Sequence, residues 1–248
     1  MTWVKSDLRL VYSLYRGFWS SLDLLFPPVC GGCEKPGARW CSDCQGRVGI
    51  LNGPVCDVCG IPQKQAGTCN VCRAEQPFFR SLRSWSVFEN PVRNALHRLK
   101  YKRDIGLGDA LAMQLAEFVR GLNWQVDMIV PVPLGKKRFQ ERGYNQVGMI
   151  ARPLALALGI EYVPQALYRQ RETRSQVGLT KAERRENVRG AFQALGAVVD
   201  RKTVLVMDDV ATTGSTLSVS AEALLSSGAK DVYALTVARA LTHQMSHA

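Results

Sequence analysis

The chain contains the sequence TVLVMDDVATTGST at residues 203–216. It begins with a run typical of a buried strand, continues with two adjacent carboxylates, and ends in a turn of threonine, glycine and serine that leads into a helical pattern. In open parallel sheets, ligands bind beyond the carboxyl ends of the strands, and a helix that begins there points backbone N–H groups and the positive end of its dipole at one position. This order of residues predicts a site for a dianionic phosphate.

Each residue type in this segment has a role that fits such a site. Gly214 lets the backbone approach the anion, while the threonine and serine hydroxyls donate hydrogen bonds without adding a charge. Asp208 and Asp209 would repel a phosphate, so we expect them to accept hydrogen bonds from ribose hydroxyls and to favour a nearby cationic centre. An acidic helix cap with a threonine-rich first turn would explain only one aspartate and one threonine. The predicted phosphate-binding residues are Ala211, Thr212, Thr213, Gly214, Ser215 and Thr216, with Asp208 and Asp209 as the catalytic residues.

Strand and helix patterns alternate along the chain from about Phe79 onward. This alternation predicts an α/β fold with a parallel sheet and helices on both faces. Pro153 lies inside one of the helical patterns and predicts a kink there. We expect strands at 84–88, 126–132, 203–207 and 232–238, and helices at 91–101, 107–122, 145–158 and 215–227.

A basic segment follows the predicted strand at 126–132. A pyrophosphate requires positive charge and forked donors, and Arg138 and Arg142 would supply both from a loop at the carboxyl end of that strand. The alternative is a solvated basic turn, which such runs often are.

Several segments resemble known families. The run at 203–216 resembles the phosphoribosyl pyrophosphate signature of type I phosphoribosyltransferases. In their order along the chain, further segments resemble the ComF family, competence-associated phosphoribosyltransferase-like proteins of bacteria with an N-terminal cysteine module. These segments are LFPP at 25–28, HRLKY at 97–101, VPVP at 130–133 and RGYNQ at 142–146.

The resemblance implies a fold, a ligand and a cellular role. The fold would be of the type I phosphoribosyltransferase class, and the ligand would be phosphoribosyl pyrophosphate with Mg2+. Asp208 and Asp209 would bind the ribose, Ala211 to Thr216 the 5-phosphate, and Arg138 with Arg142 the pyrophosphate. A loop between residues 169 and 190 would close over the ligand, with Arg171 and Arg184 as candidate contacts to it. The role would be in natural transformation, with other competence proteins as partners; the acceptor substrate stays open.

All eight cysteines lie between Cys30 and Cys72, in four C-x-x-C pairs. Tetrahedral zinc takes four thiolates, so the pairs predict two structural Zn2+ ions with no open position for catalysis. Sequential pairing closes shorter loops than an interleaved arrangement and is preferred. The first quartet is then Cys30, Cys33, Cys41 and Cys44, and the second quartet is Cys56, Cys59, Cys69 and Cys72.

The length of 248 residues fits one α/β domain with a smaller appendage. We expect an amphipathic helix at 1–28, a double zinc-ribbon-like module at 29–76, a phosphoribosyltransferase-like domain at 79–240 and a tail at 241–248. The apolar face of the first helix would pack on the protein itself or on a membrane surface. The sequence contains no 18-residue apolar run and its start lacks the features of a secretory signal, so we expect a cytoplasmic protein without a transmembrane segment.

The net charge of +11 favours polyanionic partners. Basic residues at the end of the helix predicted at 91–101 would interact with the helix dipole, or else with nucleic acid or a phosphate, and Tyr101 could stack on a base. An alternative function follows, that of a single-stranded-DNA-binding adaptor whose sugar-phosphate pocket is not catalytic. The basic residues concerned are His97, Arg98, Lys100, Lys102 and Arg103.

Overall fold

A computed structural model describes residues 27–51, 53–171 and 190–241. The strands are β1 (Ser81–Val87), β2 (Met128–Pro131), β3 (Glu161–Tyr162), β4 (Leu167–Arg169), β5 (Phe192–Ala194), β6 (Thr203–Ala211) and β7 (Asp231–Arg239). Five of them form a parallel sheet in the order β1-β7-β6-β2-β3, and β4 pairs with β5 in a separate antiparallel ribbon.

Helices connect these strands, and a 3-10 turn lies at Pro164–Ala166. They are α1 (Ser42–Gly46), α2 (Asn70–Ala74), α3 (Val92–Tyr101), α4 (Gly106–Gly121), α5 (Lys136–Arg142), α6 (Gln146–Leu158), α7 (Gly196–Val199) and α8 (Ser215–Ser226). Helix α6 contains Pro153 and does not end there. The kink at this proline stays a prediction.

The sheet separates two hydrophobic clusters. Leu205 and Met207 of β6 pack with α3, α4 and α6 on one face, whereas Val204 and Val206 pack with α8 on the other. Side chains alternate along a strand, so a central strand buried on both faces is apolar on both, as β6 is from Val204 to Met207. The predicted parallel sheet with helices on both faces is confirmed.

Strand β6 is longer than the sequence predicts. We expected it to end at Met207, but pairing with β7 continues through both aspartates as far as Ala211 and Arg239. Because aspartate is depleted in strands, we expected the strand to end before the acidic pair. In the structure the backbone hydrogen bonds continue past both aspartates. The two carboxylates consequently lie on the strand itself.

The cysteine-containing segment covers the edge of β1, the outermost strand on its side of the sheet. The N–H of Leu82 donates to the carbonyl of Val58 at 2.7 Å, and that of Val87 donates to the carbonyl of Gly49 at 2.7 Å. Strand edges carry unpaired backbone groups that favour association with other strands, so these bonds protect the sheet.

Some predictions concern residues outside the described ranges. These are the amphipathic helix at 1–28, apart from its last two residues, most of the loop at 169–190 including Arg184, and nearly all of the tail at 241–248. Among the residues described, no helix has the length and apolar character required to span a bilayer.

Candidate phosphate-binding site and zinc centres

The phosphate loop, Ala211–Thr216, joins β6 to α8. Gly214 caps the helix with a φ of 81°, and a Cβ atom at this position would lie 3.3 Å from Cδ2 of Leu82, so both conformation and space favour glycine. The hydroxyls of Thr213 and Ser215 are hydrogen-bonded at 2.7 Å, and the N–H of Ser215 donates to Oγ1 of Thr213 at 3.3 Å. The turn is thus closed on itself at the start of a twelve-residue helix, the geometry that anions occupy at helix N-termini.

The two aspartates of β6 differ in their surroundings. Asp209 is 7% exposed and forms an ion pair with the ammonium group of Lys100, at the end of α3. Asp208 is half-buried, and its Oδ1 accepts a hydrogen bond from the backbone N–H of Asp209 at 2.8 Å. Sequence reasoning treated the aspartates as equivalent; the structure shows that they are not.

The pKa values of the two aspartates differ because Asp209 pairs with Lys100. Burial raises the pKa of Asp208 well above its ordinary value, and the neighbouring charge of Asp209 raises it further. Burial also acts to raise the pKa of Asp209, but the ammonium of Lys100 outweighs burial and holds that pKa below its ordinary value. The site therefore presents one ionised carboxylate, paired with lysine, and one carboxyl group that retains its proton to higher pH.

Lys100 is a site residue that the sequence did not single out. It is one of the basic residues around His97, for which we expected the helix dipole, nucleic acid or a phosphate as the partner. The segment carrying it lies more than 100 residues before the aspartates, and only the crossover after β1 brings the end of α3 to β6. The one available signal was its position in the HRLKY motif.

The same correction applies to two neighbours of Lys100. Arg98 forms ion pairs with Glu34 at 2.8 Å and with Asp104 at 3.0 Å, and Lys102 forms one with Glu34 at 3.0 Å. These ion pairs attach the first cysteine module to α3. We had expected only a helix dipole or an anionic ligand as the partner of these cations.

Arg138 and Arg142 lie on helix α5 and not on the loop that we expected after β2. Arg142 donates to Oε1 of Gln146 at 2.7 Å, and its guanidinium lies 5.1 Å from the centre of the Tyr101 ring. The hydroxyl of Tyr144 donates to the carbonyl of Leu99. Arg142 is therefore next to the end of α3, which also carries Lys100, while Arg138 is exposed one turn earlier on α5.

Both cysteine quartets have the geometry of a four-thiolate zinc site. Within each quartet the sulfurs lie within 4.8 Å of one another, and the distances Cys33–Cys41 and Cys59–Cys69 are 3.7 and 3.8 Å. A tetrahedral site with zinc–sulfur bonds of about 2.3 Å places its sulfurs about 3.8 Å apart. The grouping agrees with sequential pairing of the C-x-x-C units.

Backbone donors around the sulfurs support the same conclusion. Sγ of Cys30 accepts from the N–H of Cys41 at 3.5 Å, and Sγ of Cys56 accepts from that of Cys69 at 3.3 Å. Burial raises the pKa of both thiols, but these and neighbouring N–H groups lower it more, to about 6 for Cys30 and about 7 for Cys56. Thiolates stabilised in this way are the form that binds zinc.

Comparisons with known proteins agree with this division. The double zinc ribbon domain family matches residues 21–73, and the phosphoribosyl transferase domain family matches residues 107–247. The DNA utilization protein YhgH of Salmonella typhimurium is 34% identical over 88% of this chain and all of its own length. Competence protein F of Haemophilus influenzae is 29% identical over 86% of this chain and 90% of its own, and competence protein ComFC of Bacillus subtilis is 26% identical over 83% and 86%.

A solved structure of adenine phosphoribosyltransferase from Thermoanaerobacter pseudethanolicus is also similar. It is 16% identical, with a TM-score of 0.37, over 60% of this chain and 84% of its own.

Proposed function

The chain belongs to the ComF family of phosphoribosyltransferase-like proteins with a double zinc ribbon, and from this we propose that it binds phosphoribosyl pyrophosphate with Mg2+ in support of DNA uptake. One observation carries the proposal. The carboxyl ends of the strands bring an acidic pair, its lysine partner and a glycine-capped helix N-terminus to one place.

Each part of the ligand has a chemical match among these groups. The phosphate loop would bind the 5-phosphate through the N–H groups and hydroxyls at the start of α8. The carboxyl groups of Asp208 and Asp209 would bind the ribose hydroxyls, and Arg142, with the exposed Arg138, would bind the pyrophosphate. Arg171, described at the start of the loop, and Arg184 remain candidate contacts to the bound ligand.

Lys100 gives the site a property that its aspartates alone would lack. It lowers the pKa of Asp209 and so favours its ionised form, which can only accept hydrogen bonds, whereas the raised pKa of Asp208 favours the protonated form, which can also donate one. The pair would thereby match a hydroxyl that donates and one that accepts. Magnesium favours carboxylate and phosphate oxygens, and we place it mainly on the oxygens of the ligand because Lys100 already pairs with Asp209.

Calorimetric titration with phosphoribosyl pyrophosphate and Mg2+ tests the proposal. Asp208→Ala and Asp209→Asn should each weaken binding by about tenfold or more, since alanine makes no side-chain hydrogen bond and the amide NH2 of asparagine donates where ionised Asp209 accepts. Asp231→Asn is the matched control: Asp231 pairs with Arg80 at the amino end of β7, far along the strand from the site, and its replacement should leave the affinity unchanged. Unchanged affinity in both site variants would refute the ribose assignment.

A second function, binding of single-stranded DNA, is supported by an aromatic and basic cluster beside the site. Tyr101 is 63% exposed, the His97 ring lies 4.7 Å from its ring, and Arg142 covers it. Exposed aromatic rings next to cations are typical stacking platforms for bases. We propose that this cluster is the part of the protein that a single strand would contact.

The two functions differ in their response to salt. Strand binding through several phosphates weakens steeply as salt rises, whereas binding of one small ligand changes far less. Tyr101→Ala should weaken binding of an oligothymidine by about 1–3 kcal/mol in a fluorescence anisotropy titration. Tyr168→Ala removes another exposed tyrosine, on β4, and should have no effect. Equal affinity of both variants and the unmodified protein would exclude the platform.

A further inference from the structure

The backbone of Arg239 occupies a central position at the carboxyl end of the sheet. It ends β7 and pairs in register with Ala211, the first residue of the phosphate loop, and with Val87 of β1. Its carbonyl accepts from the N–H of Phe88 at 2.8 Å, and the N–H of the next residue, Ala240, donates to the carbonyl of Ala211 at 2.9 Å. Movement of Arg239 would therefore move the start of the phosphate loop.

The side chain of Arg239 leads away from the loop to the second quartet. It is 2% exposed, and its guanidinium donates to the carbonyl of Cys59. The guanidinium also interacts electrostatically with the thiols of Cys56, Cys59 and Cys72. Arg83 of β1 approaches the same turn and donates to the carbonyl of Asp57 at 3.1 Å.

The charge of a zinc centre explains why two arginines lie there. Zn2+ with four thiolates has a net charge of −2, and a buried charge is stable only when it is compensated. The second quartet is compensated by cations from β1 and β7. The first quartet has a cation in its own module, since Arg47 donates to Sγ of Cys44 at 3.4 Å.

Packing provides a second connection between the second quartet and the loop. Leu82 lies between two glycines: a Cβ atom on Gly60 would lie 2.4 Å from the Leu82 carbonyl oxygen, and one on Gly214 would lie 3.3 Å from Leu82 Cδ2. The turn of the second quartet and the turn of the phosphate loop therefore contact the same residue of β1.

We propose that Arg239 is a positioning residue that joins the second zinc centre to the phosphate loop, so that zinc in the second quartet fixes the conformation of residues 211–216. This deepens the proposed function and rests on it, since these residues are the loop assigned to the 5-phosphate. Zinc bound to the first quartet has no such effect on the loop.

Hydrogen exchange measured by mass spectrometry tests the proposal on the full chain with both zincs bound and no phosphate ligand. In Arg239→Met, amides of residues 208–216 should exchange about tenfold faster or more, which is the loss expected for a hydrogen bond from a charged donor. Peptides of β2 should exchange as in the unmodified protein. Chelation with pyridylazoresorcinol should release the second zinc of this variant faster than the first.

Two variants separate positioning from general stability. Arg239→Lys keeps the charge and should restore slow exchange in part. Arg80→Met removes a largely exposed arginine that pairs with Asp231 at the opposite end of the same strands, and it should not alter the loop. Faster exchange throughout the sheet in Arg239→Met, or unchanged exchange at 208–216, would overturn the proposal.

The test remains decisive if Arg239→Met does not fold. Arg239→Lys and partial chelation of the unmodified protein then take its place. If the exchange rates of residues 208–216 do not change when the second zinc is lost, the proposal is refuted. The readout needs no phosphoribosyl pyrophosphate, so a loop that responds to zinc but does not bind this ligand would refute the proposed function and leave the connection intact.

Discussion

The first and second cysteine quartets have the same thiolate chemistry but different attachments to the rest of the molecule. The first module packs Trp40 and Val48 into the cluster formed with α3, α4 and α6, and the second packs Val58 into the cluster on the other face of the sheet. The first is joined to α3 by side chains, among them Asn94, whose Nδ2 donates to the carbonyl of Gly32 at 3.0 Å. The second is joined to β1 through Leu82 and to the end of β7 through Arg239.

This difference indicates that the two metal sites of one module can support different parts of the candidate site. Helix α3 carries Lys100 to Asp209, so the first quartet stabilises the helix that supplies the cation of the site. Arg239, at the end of β7, pairs with Ala211, at the end of β6, and its guanidinium donates to the carbonyl of Cys59, so one residue connects the second quartet to the start of the phosphate loop. Several side chains, among them the exposed Glu34, join the first quartet to α3, whereas the buried side chain of Arg239 joins the second to β7, so the two connections should respond differently to mutation.

Removal of one ligand from each quartet should give the largest contrast. Cys72→Ser and Cys44→Ser both replace a buried thiol and should each reduce zinc from two ions to one per chain, measured by mass spectrometry. We expect Cys72→Ser to cost about 3–5 kcal/mol more in the free energy of unfolding, because it leaves the buried guanidinium of Arg239 without its anion. Equal losses in urea denaturation would show that the quartets are equivalent.

Replacement of Lys100 removes the ion pair that joins α3 to Asp209. Lys100→Met should lower the free energy of unfolding by about 2–3 kcal/mol at pH 7, because Asp209 is left buried without a cation. The lysine lowers the pKa of Asp209, so its contribution is present above the ordinary carboxyl pKa and is lost as the pH falls through the folded-state value. The defect should therefore shrink toward pH 3. Lys230→Met, at an exposed position, is the control, and a similar loss there would contradict the assignment.

Asp208 should show the opposite sign of pH dependence. Its pKa is raised in the folded protein, so its proton stabilises the fold below the ordinary carboxyl pKa of about 3.9, and this contribution is lost as the pH rises. Asp208→Asn should thus be more stable than the unmodified protein at pH 8, by about 1 kcal/mol or more, and equally stable near pH 4. Thermal unfolding across this range would measure it. A variant less stable at pH 8 would show that Asp208 is ionised.

The smallest effect should come from the exposed ion pairs of the first module. Glu34→Gln removes the partner of Arg98 and Lys102, but Glu34 is largely solvent-exposed, and such pairs contribute little. We expect a change in unfolding temperature close to the error of calorimetry. A large decrease in unfolding temperature would show that the ion pairs of the first module contribute as much to stability as the contacts of Arg239.

The sequence allowed the sheet, its helices and both quartets to be predicted because each has a local signal. The buried part of β6 from Val204 to Met207 is continuously apolar, and C-x-x-C spacing lets two thiolates bind one metal. The exact end of β6 could not be predicted, because pairing with β7 is a long-range interaction that overrides the low strand propensity of aspartate.

The partners of charged side chains could not be predicted from the sequence, because most of these contacts are also long-range. Lys100, Arg98 and Arg239 contact residues that lie between 6 and 180 positions away, and charge patterning along the chain does not encode such separations. The assignments of Asp208, Asp209, Arg138 and Arg142 to parts of a ligand remain predictions. Only the acidic pair and the turn at 211–216 were visible as a unit beforehand.

The cover over β1 has a consequence for the chain without zinc. Val58 and Gly49 accept hydrogen bonds from the backbone edge of β1, and both belong to the cysteine module, so unfolding of that module would expose a strand with free amides and carbonyls. Such a strand is a template for addition of a strand from another molecule. Loss of zinc would then favour self-assembly of the chain through this edge of the sheet.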